Sequence, residues 1–174
     1  MAEYSQRHYG DSSIVLAPKV IVLHYTAGST WQSAWNLFDA NQPNLGEQPG
    51  TVAHFIIDKD GTIYQLIPLD VRGRHTVGLN QVALGIEFVE EGAGGSAAAV
   101  HNIFSRQPQL DAGLDLVRWL QYRFDIPTSD VIGHGTANDS RFFRDDEGWT
   151  NDHSDWGSAD VRLFHQRLRA MTAP

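Results

Sequence analysis

An α/β fold with a mixed sheet is what this sequence predicts, and three observations carry that expectation. Residues 19–25, KVIVLHY, form a short β-branched apolar run of the kind buried inside a sheet. Residues 82–90, VALGIEFVE, alternate, with Leu84, Ile86 and Phe88 on one side and Gly85, Glu87 and Val89 on the other. Residues 109–124 carry Leu110, Leu114, Val117, Leu120 and Phe124 on one helical stripe. Strands and helices that interleave in this way, with a single hairpin, pack as α/β layers.

The remaining elements follow in order. The opening MAEYSQRHYGDSS lacks the basic start and apolar core of a signal peptide, and no element is assigned to it. After the first strand TAGS breaks the pattern, and Ser29 or Thr30 caps a helix over 31–40 with Trp31, Ala34, Trp35 and Phe38 on one face. NQPNLGEQPG is loop by its Pro, Gly and Asn content. Residues 51–57 and 62–67 read as a hairpin joined by DKDG, whose Asp-Gly favours a tight turn. EGAGGSAAAV is small and flexible, a surface loop. Pro127 ends the long helix, Val131 and Ile132 make a short strand into Gly133-His134, and residues 160–170 form an amphipathic helix. No repeat or boundary divides the 174 residues, so a single domain spanning 1–174 is expected.

Bulk composition excludes several functions. Thirteen basic against 21 acidic residues give a formal charge of −8, which argues against a nucleic-acid partner because phosphate neutralisation needs clustered Lys and Arg. No apolar run approaches the roughly 20 residues of a membrane span, so no membrane insertion is expected. The absence of cysteine removes disulfides and thiolate metal sites, leaving His, Asp and Glu as the strong ligands.

Two histidines stand at equivalent places. His24 ends the first strand and His134 follows the last, and strand ends opening into Gly-containing loops are where α/β folds place ligands. Taken singly, each reads as a satisfied structural histidine; as a pair in a cysteine-free chain they point to a shared metal. Glu87 lies inside an apolar strand, where a carboxylate either faces solvent or serves as a general base beside a cleft. A hydrolytic zinc site uses three protein ligands and an open position, so a third ligand is needed. The acidic segment NDHSDWG, residues 151–157, offers Asp152 and Asp155, with Asp145 and Asp146 upstream.

The blocks VIVLHYTAG, VAHFIIDKDGTIYQLI, RHTVGLNQVALGIEFV and DVIGHG, in that order, resemble the zinc-dependent N-acetylmuramoyl-L-alanine amidases. That group includes phage T7-type lysozyme and is related to the peptidoglycan recognition proteins. The resemblance covers about residues 19–157. It implies a mixed sheet with flanking helices, one Zn²⁺ per chain, and cleavage of the amide between the lactyl group of N-acetylmuramic acid and L-alanine. Carried onto this chain, it makes His24 and His134 zinc ligands and Glu87 the acid that activates water. Ala53 stands where T7-type members carry a catalytic Tyr. HSDWG matches the family's KxDPG or HxDPG stretch, which puts Asp155 on the zinc and His153 at the oxyanion, its charge supported by Asp152 and Asp155. The motif's Pro is Trp156 here, and DSRFFRDDEGWT lengthens the gap after His134, so Asp152, Asp145 and Asp146 remain rival ligands.

By the same resemblance His75 and Asn80 lie near the substrate, with structural roles equally open. Arg72 and Arg74 could pair with a peptide carboxylate but read as surface arginines, His54 reads as a packed residue, and Trp31 and Trp35 read as core ahead of a sugar platform. His8, His101 and His165 carry no motif. The partner implied is peptidoglycan or a muropeptide, and the chain is expected to be a monomer that acts on the bacterial cell wall. Made in the cytoplasm, it would be released as an endolysin or effector. The rival reading is a muropeptide-binding module of the same fold that does not cut.

Overall fold

The β-branched run and the alternating run are neighbours in one sheet. In the computed structural model, which describes residues 1–171, β1 (Val20–Tyr25) pairs in parallel with β4 (Ala83–Phe88) on one side and with β5 (Val131–Gly133) on the other. Beyond β4 lies β2 (Phe55–Ile57), also parallel, and then β3 (Ile63–Gln65), antiparallel to β2 across the expected hairpin. The strand order is β3-β2-β4-β1-β5, a mixed five-stranded sheet as predicted.

Alternation assigns each face. Ile21, Leu23, Leu84, Ile86 and Phe88 belong to the main core, packed with residues of three helices, α3 (Ser96–Ser105), α4 (Gln107–Phe124) and α5 (Ser158–Ala170). The opposite face buries Val20, Val22 and Ala83 with Leu79 and Ala137, and Ile56 and Val89 with Ala34 of α2 (Trp31–Asp39). His24 and Glu87 share this second face by the period of two. Thr30 caps α2 by accepting the Ser33 N–H. On α2 only Ala34 is fully buried; Trp31 stacks on Tyr64 at 4.2 Å, and Trp35 is 39% exposed, so the expected apolar face is only partly covered.

Two helices depart from the sequence reading. The second half of the stretch read as a surface loop begins α3, because its alanine run has the strongest intrinsic helix propensity and Ala99, Val100 and Ile103 give the helix a face to bury. The glycines before it, Gly92, Gly94 and Gly95, do form the expected loop, all at positive φ. The N-terminal segment is a helix, α1 (Ala2–Tyr9), with a polar sequence whose order comes from tertiary burial of Tyr4, Ser5, His8 and Tyr9.

Candidate metal centre and active-site cleft

Parallel pairing builds the centre. The β1–β4 register sets His24 beside Glu87, and the β1–β5 register sets Leu23 beside Gly133, so the next residues, His24 and His134, emerge together. Their Nδ1 atoms are 3.0 Å apart. Asp155 closes the group, with Oδ1 3.1 Å from His134 Nδ1 and Oδ2 3.5 Å from His24 Nδ1. Ligand atoms about 2.1 Å from a tetrahedral ion lie about 3.4 Å from one another, so three lone-pair donors at these separations suit one. All three residues are buried, and among the described residues they form the His and acid group able to share an ion. The rivals are engaged elsewhere: Asp145 bonds His8, Asp146 pairs with Arg144, and Asp152 is exposed outside the group.

Trp156, which interrupts the resembled motif, holds Asp155 in place. Its indole N–H donates to the carbonyl of His24 at 3.1 Å, and its backbone N–H donates to Ser96 Oγ. The ring is fully buried against Phe88 and Phe164, with the backbone at φ +54°, a conformation rare for a bulky residue. A side chain at Gly133 would collide with the Trp156 backbone, so glycine there permits this approach. Gly135 N–H donates to the Asp155 carbonyl, and the Asn151 amide donates to that of His134.

Burial dominates the electrostatics. It pushes the His24 imidazole down to about 4, with His134 adding to the shift and Asp155 opposing it. Burial would raise the Asp155 carboxyl, but hydrogen bonds from His134 and His24 outweigh it and hold the group well below the usual carboxylate range. Burial, and then the charge of Asp155, push Glu87 up to about 8. Its Oε2 is inaccessible to water and has no hydrogen-bond partner, an arrangement that leaves a buried acceptor free for a ligand. His153 stacks on His134 at 4.2 Å with its outer edge in solvent. The expectation that nearby aspartates hold its charge is not met: desolvation and His134 lower its pKa against the opposing pull of Asp155 and Asp152.

Behind His24, its Nε2 lies 3.2 Å from His75 Nδ1 and 3.3 Å from Thr76 Oγ1, contacts that fix the ring. Burial and then His24 push His75 well below its ordinary value. A Cβ at Gly85 would strike the His75 ring, so that glycine makes its space. Asn80 Oδ1 accepts the N–H groups of His75 and Thr76, both at 2.8 Å, and holds this turn from beneath. His54 is buried and bonded on both ring nitrogens, to the Gly85 N–H and the Val71 carbonyl, as a packed residue. Arg72 and Arg74 are not surface residues: both are buried. Arg72 pairs with Asp11, and Arg74 donates to the carbonyls of Asn44, Glu47 and Pro49. Ala53 is fully buried, so the position of the T7-type Tyr holds no polar group here.

The centre lies in a cleft of about 960 Å³ that His75, Asn80, Glu87 and His153 also line. Trp156 and Thr76 are the supporting residues that sequence reasoning passed over. Trp156 is visible in the sequence only as a departure from a motif, and Thr76 carries no signal. Chemically, the cleft joins a buried three-donor cation site to a carboxyl of raised pKa and a polar rim, the parts needed for hydrolysis of a polar carbonyl substrate.

A family model described as N-acetylmuramoyl-L-alanine amidase matches residues 15–158. Peptidoglycan recognition protein 3 of Mus musculus is 28% identical over 80 residues, which are 42% of this chain and 23% of that protein. The chain therefore spans well under half the length of this curated relative. Among solved structures, the endolysin amidase LysCS from Clostridium intestinale is similar at a TM-score of 0.61, with 22% identity over 90% of this chain and 86% of that one. AmiD from E. coli, an N-acetylmuramyl-L-alanine amidase solved with anhydro-N-acetylmuramic acid-L-Ala-D-γ-Glu-L-Lys, is similar at 0.54, with 21% identity over 68% of this chain and 49% of that one. At these identities the solved structures speak for the fold.

Proposed function

Because the chain belongs to the N-acetylmuramoyl-L-alanine amidase family, we propose that it is a zinc-dependent hydrolase of peptidoglycan that cuts the amide between N-acetylmuramic acid and L-alanine. The observation that carries the reading is the convergence of His24, His134 and Asp155 next to a buried carboxyl with an unpartnered oxygen. His24, His134 and Asp155 would hold the ion. Bound zinc supplies Lewis acidity, which brings the pKa of water toward about 7 and polarises a carbonyl.

The chain's own residues do the rest. Glu87 takes a proton from the attacking water as the new C–O bond forms, and returns it to the departing alanine nitrogen as the C–N bond breaks. His153, stacked at the rim, donates one N–H to the developing oxyanion. Thr76 and His75 hold the His24 ring, and Asn80 holds their turn. His75 and Asn80 also line the cleft and are assigned to the substrate's peptide side. The partner is peptidoglycan or a muropeptide, handled by a monomer at the cell wall, in the manner of an endolysin or a delivered effector. A binding module that does not cut is the weaker reading, since recognition alone has no use for three converging ligands and a raised carboxyl together.

Digestion of purified peptidoglycan with and without a chelator, followed by mass spectrometry of the soluble fraction, tests this. Stem peptides with a free L-alanine amine, absent under chelation, are expected. Peptidoglycan left intact with the protein bound to it would overturn the catalytic reading in favour of recognition.

A further inference from the structure

His8 belongs to no motif, yet it is fully buried and joins three segments far apart in the chain. Its Nδ1 is 2.9 Å from Asp145 Oδ2, and its Nε2 is 2.8 Å from Glu47 Oε2. The ring thus meets one carboxylate at each of its two nitrogens. Arg7, the neighbouring residue of α1, adds its guanidinium to Glu47 at 2.9 Å. The His8 carbonyl also accepts the Asp146 N–H, so backbone and side chain grip the same turn. Asp145 in turn accepts the backbone N–H groups of Glu147 and Trp149. Tyr4 stacks on one side of the His8 ring at 4.2 Å, and Trp149 meets it edge-on at 4.8 Å.

Both gripped loops give residues to the cleft. Asn44 and Leu45 come from the loop of Glu47, and Trp149 and Thr150 from the loop of Asp145. Without His8 a buried carboxylate and a half-buried one would face a hole and repel, and the two loops would separate.

The wall so formed has a distinct chemistry. It presents a partly exposed indole and an exposed leucine beside an amide and a hydroxyl, and the guanidinium of Arg74, which also lines the cleft, is committed to backbone carbonyls. An indole attracts weakly polarised C–H bonds through the negative face of its ring, and amide and hydroxyl groups exchange hydrogen bonds with hydroxyl and acetamido groups. That pairing fits a neutral N-acetylated sugar ring better than a charged peptide.

We propose that His8 is a positioning residue that clasps the loops of Glu47 and Asp145 into one wall of the cleft, and that Trp149 on this wall receives the sugar ring of the substrate. The proposal rests on the amidase reading above.

Its test compares two probes on chelator-treated protein, so that binding is read without turnover: N-acetylmuramoyl-L-alanyl-D-isoglutamine and the same dipeptide without the sugar, each titrated by NMR. Trp149→Ala and His8→Asn are expected to weaken the sugar-bearing probe about tenfold while changing the bare dipeptide by less than about twofold. In zinc-loaded protein the same variants raise KM on muropeptides and leave kcat within about twofold. Asp145→Asn, which keeps the shape of the clasp, gives the same pattern at smaller size. Equal weakening of both probes, or no weakening in variants whose thermal unfolding shows them folded, overturns the proposal. If His8→Asn does not fold, Trp149→Ala and Asp145→Asn decide. Wild-type protein that neither binds nor cleaves the muropeptide would sink the amidase reading instead, a result distinct from any variant's.

Discussion

The two sides of the candidate metal centre are built by different means. His24 and Glu87 stand on adjacent parallel strands, and every rung of the β1–β4 ladder from Val20 to Tyr25 helps to set their separation. Asp155 and His153 arrive on a long excursion after β5. Their placement depends on a handful of contacts: the Trp156 indole on the His24 carbonyl, Ser96 on the Trp156 N–H, Gly135 on the Asp155 carbonyl, and Asn151 on His134. A ladder shares any local loss among many bonds, whereas an anchored loop concentrates its placement in single side chains. The strand side is therefore robust in geometry and sensitive only in chemistry; the loop side is sensitive in both.

The most severe test of that contrast is removal of the loop's proposed ligand. Asp155→Ala should abolish stoichiometric Zn²⁺ uptake in calorimetric titration, while Asp152→Ala should bind as wild type; the reverse result would assign the ion to the other aspartate. On the strand side, Glu87→Gln should retain the metal and the fold but lose turnover by about 10²–10⁴-fold. An active Glu87→Gln enzyme would remove this residue from the chemistry.

A smaller effect is expected from the anchor. Trp156→Phe keeps much of the ring packing and deletes the N–H to the His24 carbonyl, at about 1 kcal/mol in chemical unfolding. If placement of Asp155 runs through that bond, Zn²⁺ affinity falls about tenfold as well. A stability loss with unchanged affinity would show the indole to be packing alone.

The most diagnostic effect is in pH. Glu87 has its pKa raised from 4.5 to about 8 in the folded, metal-free protein, mainly by burial. Between those values the unfolded carboxyl has lost its proton and the folded one keeps it. The native state then binds more protons, and stability falls as pH rises, by at most about 1.4 kcal/mol per unit. Over the same window Glu87→Gln should show a shallower decline in melting temperature than wild type. Parallel curves would mean that the carboxyl is already ionised.

Much of this was legible in the chain itself. The strand runs, their alternation, the long helix and the positions of His24, Glu87 and His134 at or within strands all follow from local periodicity. Errors fell where local signal is weak or ambiguous. Alanines after a glycine run read as a flexible loop until Ala99, Val100 and Ile103 found a core to bury against. Arg72 and Arg74 read as surface charges because nothing local announces that four backbone carbonyls and Asp11 await them.

By itself, then, the sequence determined the sheet and the donors it carries, because side-chain direction along a strand is set by neighbours two residues away. Only the tertiary structure decided which of four aspartates meets the histidines, why Trp156 stands in the motif, and that His8 ties α1 to the cleft. Each of those rests on a contact between segments tens of residues or more apart. Such contacts are selected by packing and charge compensation in the folded chain, and leave no periodic trace in the order of residues.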